Sequence, residues 1–178
     1  MSKLLTKIAL RCYYIIKPSI LVGIGEIKMF RLSTKGRYGV RAMFDLALHY
    51  DEGLVSLKNI AERQEISEHY LEQLIATLKK AGLVKSIRGA QGGYMLSQEP
   101  SKITIGDILR ALEGSLSPAE CIDDSQKVDC PRSDYCVTKK VWEKVKEVIE
   151  SVVDSITLQD LVDDYKKMTA DESYMFYI

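Results

Sequence analysis

The stretch that most constrains the fold is residues 35–96, where three helical patterns and a glycine-centred pair of short apolar runs follow one another with little between them. In residues 35–50, Val40, Met43, Phe44, Ala47 and Leu48 recur at i, i+3, i+4, i+7 and i+8, the spacing of one face of an amphipathic helix. Asp51-Glu52-Gly53 closes that helix. Ser56 is placed to cap a short second helix, Leu57–Gln64, which would bury Leu57, Ile60 and Ala61. After a break at Glu65-Ile66, Ser67 caps a third helix reaching Ala81, with Gly82 as its stop. Leu71, Leu74, Ile75 and Leu78 of this helix face inward, and His69, Tyr70, Gln73 and Thr77 face outward. Residues 83–88 and 94–96 flank Gly89-Ala90-Gln91-Gly92-Gly93 and predict a hairpin with Arg88 at its tip. Two helices about three residues apart, the second apolar inside and polar outside, form a helix-turn-helix, and a hairpin directly after it is a wing. The predicted fold class is therefore mainly α with a small β-hairpin wing: a winged helix-turn-helix followed by a long dimerisation helix.

The 178 residues are 46% hydrophobic and 28% charged, an ordinary globular composition for one domain or a small domain with an appendage. No run of about 18 uncharged apolar residues exists, which excludes a spanning helix and predicts no membrane partner. Net charge is zero, but residues 31–88 carry 10 basic against 7 acidic side chains, and residues 114–178 carry 8 against 14. A basic front and an acidic back imply that one part meets an anion and another has a different task. Residues 1–29 fit no domain cleanly. Lys3, Lys7 and Arg11 precede an apolar stretch that Lys17-Pro18 interrupts, so this leader is expected to be a loosely attached extension or a start assigned too early, with Met29 near the natural beginning. The expected organisation is leader 1–29, winged-helix domain 30–103, sensor loop and dimerisation helices 104–168, and tail 169–178.

In the back half, Thr104-Ile105-Gly106-Asp107 is a capping-box pattern opening a helix that Gly114 stops. A long helix is expected over residues 138–156, with Val141, Val145, Val148 and Val152 in 4-3-4 spacing, widened by Trp142 and Ile149. Such a seam on a charged helix argues for packing against a second copy, and a two-fold homodimer suits a palindromic operator. Thr157 and Asp160 cap a last short helix through Tyr165. Between these helices, Cys121, Cys130 and Cys136 form a C-x8-C-x5-C loop without hydrophobic period. The loop is too polar to bury three thiols. Structural zinc favours closer pairs, and a disulfide would strand one thiol. Thiolate ligation of an iron–sulfur cluster fits best, with redox thiols, zinc and inert cysteines as the alternatives.

Certain residues of the three predicted helices and the wing are placed to read DNA. Lys35, Arg37, Arg41 and Lys58 sit near helix starts, where cations meet phosphate oxygens. Ser67, His69, Tyr70 and Gln73 offer donors, acceptors and flat surfaces to base edges, and Glu72 among them can accept from cytosine or repel phosphate. Arg88, beside three glycines, suits insertion into a narrow minor groove. With two histidines, His49 and His69, and no nucleophile–base pair, the chain is not expected to be an enzyme.

The stretches RLSTKGRYGVRAMFDLALHY and SLKNIAERQEISEHYLEQLIATLKKAGLVKSIRGAQGGYML resemble the front half of IscR-type transcription regulators, a bacterial winged-helix family that includes NsrR-type nitric-oxide sensors and CymR-type regulators of cysteine metabolism. STKGRY, ISxxYLEQL and RGxxGGY carry the resemblance, which covers residues 31–168. It implies a cytoplasmic dimer on a double-stranded DNA operator, with the acidic residue at Glu72 helping to choose the promoter class. It further implies a [2Fe–2S] cluster on Cys121, Cys130 and Cys136, with [4Fe–4S] as the alternative, controlling iron–sulfur cluster assembly genes. Two departures stand out: the first cysteine spacing is long, and Lys139 occupies the position of the family's histidine ligand. A protonated lysine has no lone pair for iron, so the fourth ligand stays open among Asp123, Asp124, Asp129, Asp134, Cys12, a partner residue or an exogenous thiol. Residues 31–38 hold no carboxylate of the NsrR-type kind. The rival expectations are a nitric-oxide or redox sensor on the same scaffold and a metal-free CymR-type regulator controlled by a partner protein.

Overall fold

The computed structural model describes residues 32–89, 91–125 and 130–174; the leader with Cys12, the wing residue Ala90, Asp129 and the last four residues lie outside the described part. Helices α1 (Thr34–Leu48), α2 (Leu57–Gln64) and α3 (Glu68–Lys80) are followed by strands β1 (Val84–Ile87) and β2 (Gly93–Leu96), then by α4 (Ile105–Glu113), α5 (Val137–Ser155) and α6 (Leu158–Tyr174). Single 3-10 turns occur at Tyr50–Glu52, Pro100–Lys102, Glu120–Ile122 and Ser133–Tyr135.

The caps expected from the sequence form: Ser56 and Ser67 each accept a backbone N–H with the side-chain oxygen at the start of α2 and α3, and Ser33, which the sequence reading did not name, does the same for α1. Thr104 and Asp107 make a reciprocal capping box at α4. The helix-turn-helix connection is Glu65-Ile66-Ser67: Glu65 takes a left-handed conformation (φ 54°), and Ile66 drops its side chain into the core. An L residue held there costs about 1–2 kcal/mol, which the buried Ile66 next to it offsets.

Strands β1 and β2 pair antiparallel from Val84 with Leu96 to Ile87 with Gly93. Val55 adds an antiparallel bridge to Tyr94, exchanging N–H···O bonds of 2.9 and 2.8 Å. Gly93 is required where Val55 passes, because a Cβ there would lie 2.7 Å from the Val55 carbonyl oxygen.

Helix α1 runs through the middle of the core, packed by α2, α3, α4, α6 and β2. Met43, Leu46, Ile60, Leu71, Leu74, Ile75, Leu78, Leu96, Ile103, Ile108 and Leu158 are almost wholly buried around it. This corrects the single apolar face read from the sequence. The buried arc of α1 is Gly36, Gly39, Ala42, Met43, Asp45, Leu46 and Ala47, whereas Val40, Phe44 and Leu48 are half-buried. The reason is α4, which packs so closely that a Cβ on Gly39 would lie 1.9 Å from Leu112 Cδ1. Small residues make that crossing and carry little hydropathy signal.

The last helix runs to Tyr174, well past Tyr165, where the sequence reading ends it. Neither Gly nor Pro follows Tyr165 before that point, so nothing local stops the helix. Its start is stitched to the start of α4: Ile105 N–H donates to Ile156 O and Leu158 N–H to Ile103 O. Phe44 of α1 meets Tyr165 of α6 edge to face at 5.7 Å.

Candidate nucleic-acid interface and thiol loop

Each residue of an α-helix turns about 100°, which sorts α3 into arcs. Leu71, Leu74, Ile75 and Leu78 fill the inner arc and are buried, whereas His69, Glu72, Gln73 and Ala76 share the outer arc and are exposed. Tyr70 and Thr77 lie on the flank between them and are half-buried, not fully outward as the sequence suggests. Tyr70 packs edge-on against Tyr38 of α1 with ring centroids 6.1 Å apart, and the Thr77 hydroxyl donates to the Gln73 carbonyl. Ser67 is spent on capping, accepting from Tyr70 N–H. His69 Nε2 and Gln73 Nε2 lie 3.2 Å apart on the open face.

A groove separates α3 from the wing, bordered by Glu72, Ala76, Lys79, Ile87 and Arg88. Arg88 is exposed at the hairpin end, and no ion pair engages it or Glu72 among the described residues. The other expected phosphate contacts divide. Arg37 is exposed on α1, and Lys58 is exposed with a 3.8 Å i,i+4 contact to Glu62. Lys35 is half-buried and donates to the Leu112 carbonyl at the end of α4. Arg41 donates to the Gln64 carbonyl and lies 5.4 Å from the centre of the Tyr38 ring. Both cations are therefore already satisfied within the fold.

Sequence reasoning missed Asp45, a carboxylate buried in the middle of α1. Arg63 grips it with two hydrogen bonds of 2.9 and 2.6 Å, and Gln64 Nε2 donates to it at 3.0 Å. The Arg63 guanidinium is held above its ordinary pKa by the hydrogen bond to Asp45. This pair welds the first helix of the helix-turn-helix to α1. An acidic residue inside the buried arc, with an arginine on the following helix, was the available signal.

Two of the thiols border α5, Cys136 at its start and Cys121 beside Lys139, Glu143 and Lys146. Cys121 is exposed in the turn Glu120–Ile122, whose Ile122 is buried. Lys146 of α5 reaches back to the Ile122 carbonyl and to Asp124, and Asp124 holds the ammonium above its ordinary pKa. Asp123 accepts from both the N–H and the hydroxyl of Ser125, which lowers its pKa. Cys130 is half-buried, and its carbonyl accepts from Ser133 N–H at 2.9 Å. Cys136 occupies the N-cap position of α5, with Sγ 3.2 Å from the Thr138 hydroxyl. That hydroxyl, then the backbone N–H of Lys139, push the thiol below its ordinary pKa and favour the thiolate. Lys139 donates to the Ser133 hydroxyl at 3.0 Å. Among the described residues, no three Cys, His, Asp or Glu side chains converge as metal ligands. Three thiols on one segment, one in a thiolate-favouring setting, suit iron–sulfur chemistry in donor type.

Helix α5 has no buried residue along its 19-residue length. Val141, Val148 and Val152 are each more than half exposed in one row with Val137 and Val145. No helix among the described residues is long and apolar enough to cross a membrane.

The family described as "Rrf2: Iron-dependent Transcriptional regulator" matches residues 32–164. The chain belongs to the Rrf2 family. Among its relatives, the HTH-type transcriptional regulator CymR of Bacillus subtilis is 47% identical over 148 residues, covering 83% of this chain and 99% of that protein. The HTH-type transcriptional regulator IscR of Serratia proteamaculans is 44% identical over 134 residues, covering 75% and 80%. The solved structure of T. potens IscR shares 56% identity with a TM-score of 0.64, covering 83% of this chain and 96% of that one. This Rrf2-family chain is thus a DNA-binding transcription regulator and not an enzyme, and its winged helix is the family's fold.

Proposed function

We propose that this Rrf2-family chain is a homodimeric regulator that docks α3 in the major groove and the wing in the adjacent minor groove, under control of the Cys121–Cys130–Cys136 loop. Three thiols on the segment that leads into α5, with Cys136 at its N-cap in a setting that lowers its pKa, carry the reading. Cys121, Cys130 and Cys136 are the residues that would hold an iron–sulfur cluster, [2Fe–2S] as the first reading and [4Fe–4S] as the second. Bound there, the group supplies a redox- and iron-responsive crosslink of the loop. The IscR likeness supports control of iron–sulfur cluster assembly genes, in the cytoplasm, as the role of this reading.

The chain's own residues supply the rest of the device. Arg37 and Lys58 give salt-dependent affinity for phosphates, with Lys35 held nearer the core. Ser67 fixes the entry of α3, Tyr70 steadies its flank, and His69, Glu72 and Gln73 face the base edges. Arg88 enters the minor groove. The loop and the exposed valine row share α5, so a rearrangement of the loop biases the dimer between DNA-competent states.

The second reading is thiol or partner-protein control without metal. The unassembled ligands and Lys139, bound to Ser133 where the family's histidine ligand falls, favour it, together with the likeness to CymR. An anaerobic absorption spectrum with iron and sulfide assays separates the two. Charge-transfer bands with matching iron and sulfide, lost in Cys130→Ala, support the cluster. A colourless, iron-free protein that still binds promoter DNA moves control to the thiols or a partner. In a quantitative gel shift, Arg88→Ala and Gln73→Ala each weaken operator binding; unchanged affinity in both rejects the docking.

A further inference from the structure

Two neighbours on the outer arc of α3 are joined in a way that bears on base reading. Gln73 and His69 are one turn apart, both exposed, and their Nε2 atoms lie within hydrogen-bond distance at 3.2 Å. An amide nitrogen can only donate, so in this contact the ring nitrogen of His69 is the acceptor. The backbone below them is fixed by the helix and by the Thr77 hydroxyl on the Gln73 carbonyl. What remains free is the sense of the amide.

We propose that His69 is a specificity-determining positioning residue, whose ring nitrogen takes one amide hydrogen of Gln73 and thereby fixes how that amide faces the DNA. This rests on the reading of α3 as the base-reading helix. With one N–H committed to His69, Gln73 presents one N–H and one oxygen to the groove. That pair matches the adenine edge, where N7 accepts and N6 donates. Guanine shows two acceptors, N7 and O6, and the amide oxygen held toward O6 meets a like partner. His69 therefore rejects guanine at the position Gln73 reads, by way of Gln73.

The charged groups bordering this face are Glu65, Glu68 and Glu72 on the helix and its turn, and Lys79 and Arg88 toward the wing; Arg37 and Lys58 are the exposed cations on α1 and α2. None is ion-paired with His69 among the described residues.

The test uses the full chain and a randomised duplex library, sequenced after one round of binding. Gln73→Ala locates the position in each half-site that the amide reads. There, wild type is expected to favour adenine over guanine by at least about fivefold, the lower end for one bidentate contact. His69→Leu should flatten that preference while leaving the melting temperature unchanged. His69→Gln, whose oxygen replaces the accepting nitrogen, should restore it. If His69→Leu keeps the adenine preference that Gln73→Ala removes, His69 does not position Gln73 and the proposal fails alone. If Gln73→Ala changes no position, the base-reading role of α3 fails with it.

Discussion

Asp45 is 3% exposed and meets Arg63, Gln64 and the first helix of the DNA-binding motif from inside the core. Removing the cation leaves a buried carboxylate uncompensated, which costs about 3–5 kcal/mol in closed sites. The Arg63 side chain is 37% exposed, so water enters and the lower end applies. Arg63→Ala is expected to lose about 2–3 kcal/mol, seen as a lower urea midpoint at unchanged slope. A midpoint equal to wild type would show that Asp45 is satisfied without Arg63. At this scale the sequence was only partly readable. Ser67, His69, Gln73 and Arg88 fall where spacing puts them, because a helix face and a hairpin end are local properties. The Arg63 pairing of Asp45, the packing of Tyr70 on Tyr38 and the internal bonds of Lys35 and Arg41 were not legible, since each depends on a neighbour 18 to 77 residues away in sequence. The thiol arrangement was equally hidden, because a loop with no period carries no geometric information in its spacing.

Among the elements, α1 and α4 meet through glycine. A methyl group at Gly39 collides with Leu112, which is buried and cannot retreat, whereas one at Gly36 meets the exposed Glu113 carboxylate, which can turn away. Gly39→Ala is expected to destabilise by about 1–2 kcal/mol, overpacking outweighing the roughly 1 kcal/mol gained in helix propensity. Gly36→Ala should cost less, and an equal loss in both urea curves would show that the crossing is uniformly tight. Helix α6 supplies a pH-dependent case. The hydroxyl of Thr157, then its N–H, bond the Asp160 carboxylate and hold it below the ordinary carboxylate range. A depressed folded-state pKa adds stability above the unfolded value, near 3.9, and that contribution disappears as pH falls through the folded value. The melting-temperature gap between wild type and Asp160→Asn should therefore be widest near neutral pH and close by about pH 2. A gap that persists in acid would assign the effect to geometry instead of charge. Element by element, the caps at Ser56, Ser67 and Thr104 were legible because capping is decided within four residues. The length of α6 and the buried face of α1 were not, because tertiary packing decides both.

For the whole molecule, the exposed valine row of α5 is the test of assembly. Val148 is 56% exposed and central among Val141, Val145 and Val152, so a charge there would be desolvated in any seam between two copies. Val148→Glu is expected to sediment as a monomer at micromolar concentration and to lose at least about tenfold in operator affinity, since each half-site then binds alone. A variant that remains dimeric would place the two-fold contact elsewhere. The backbone stitch between residues 103–105 and 156–158 gives the assembly a mechanical character as well. It fastens one end of α5 to the winged body, and the Arg110–Asp154 ion pair braces that same end. The thiol loop hangs from the other. At 1.5 Å per residue, the 19 residues between make a beam of about 28 Å, so a tilt of about 5° at the anchored end swings the loop end by some 2–3 Å. Read in reverse, a modest tug on the loop becomes torque at the hinge: α5 is a cantilever, and its load point and its bearing lie at opposite ends.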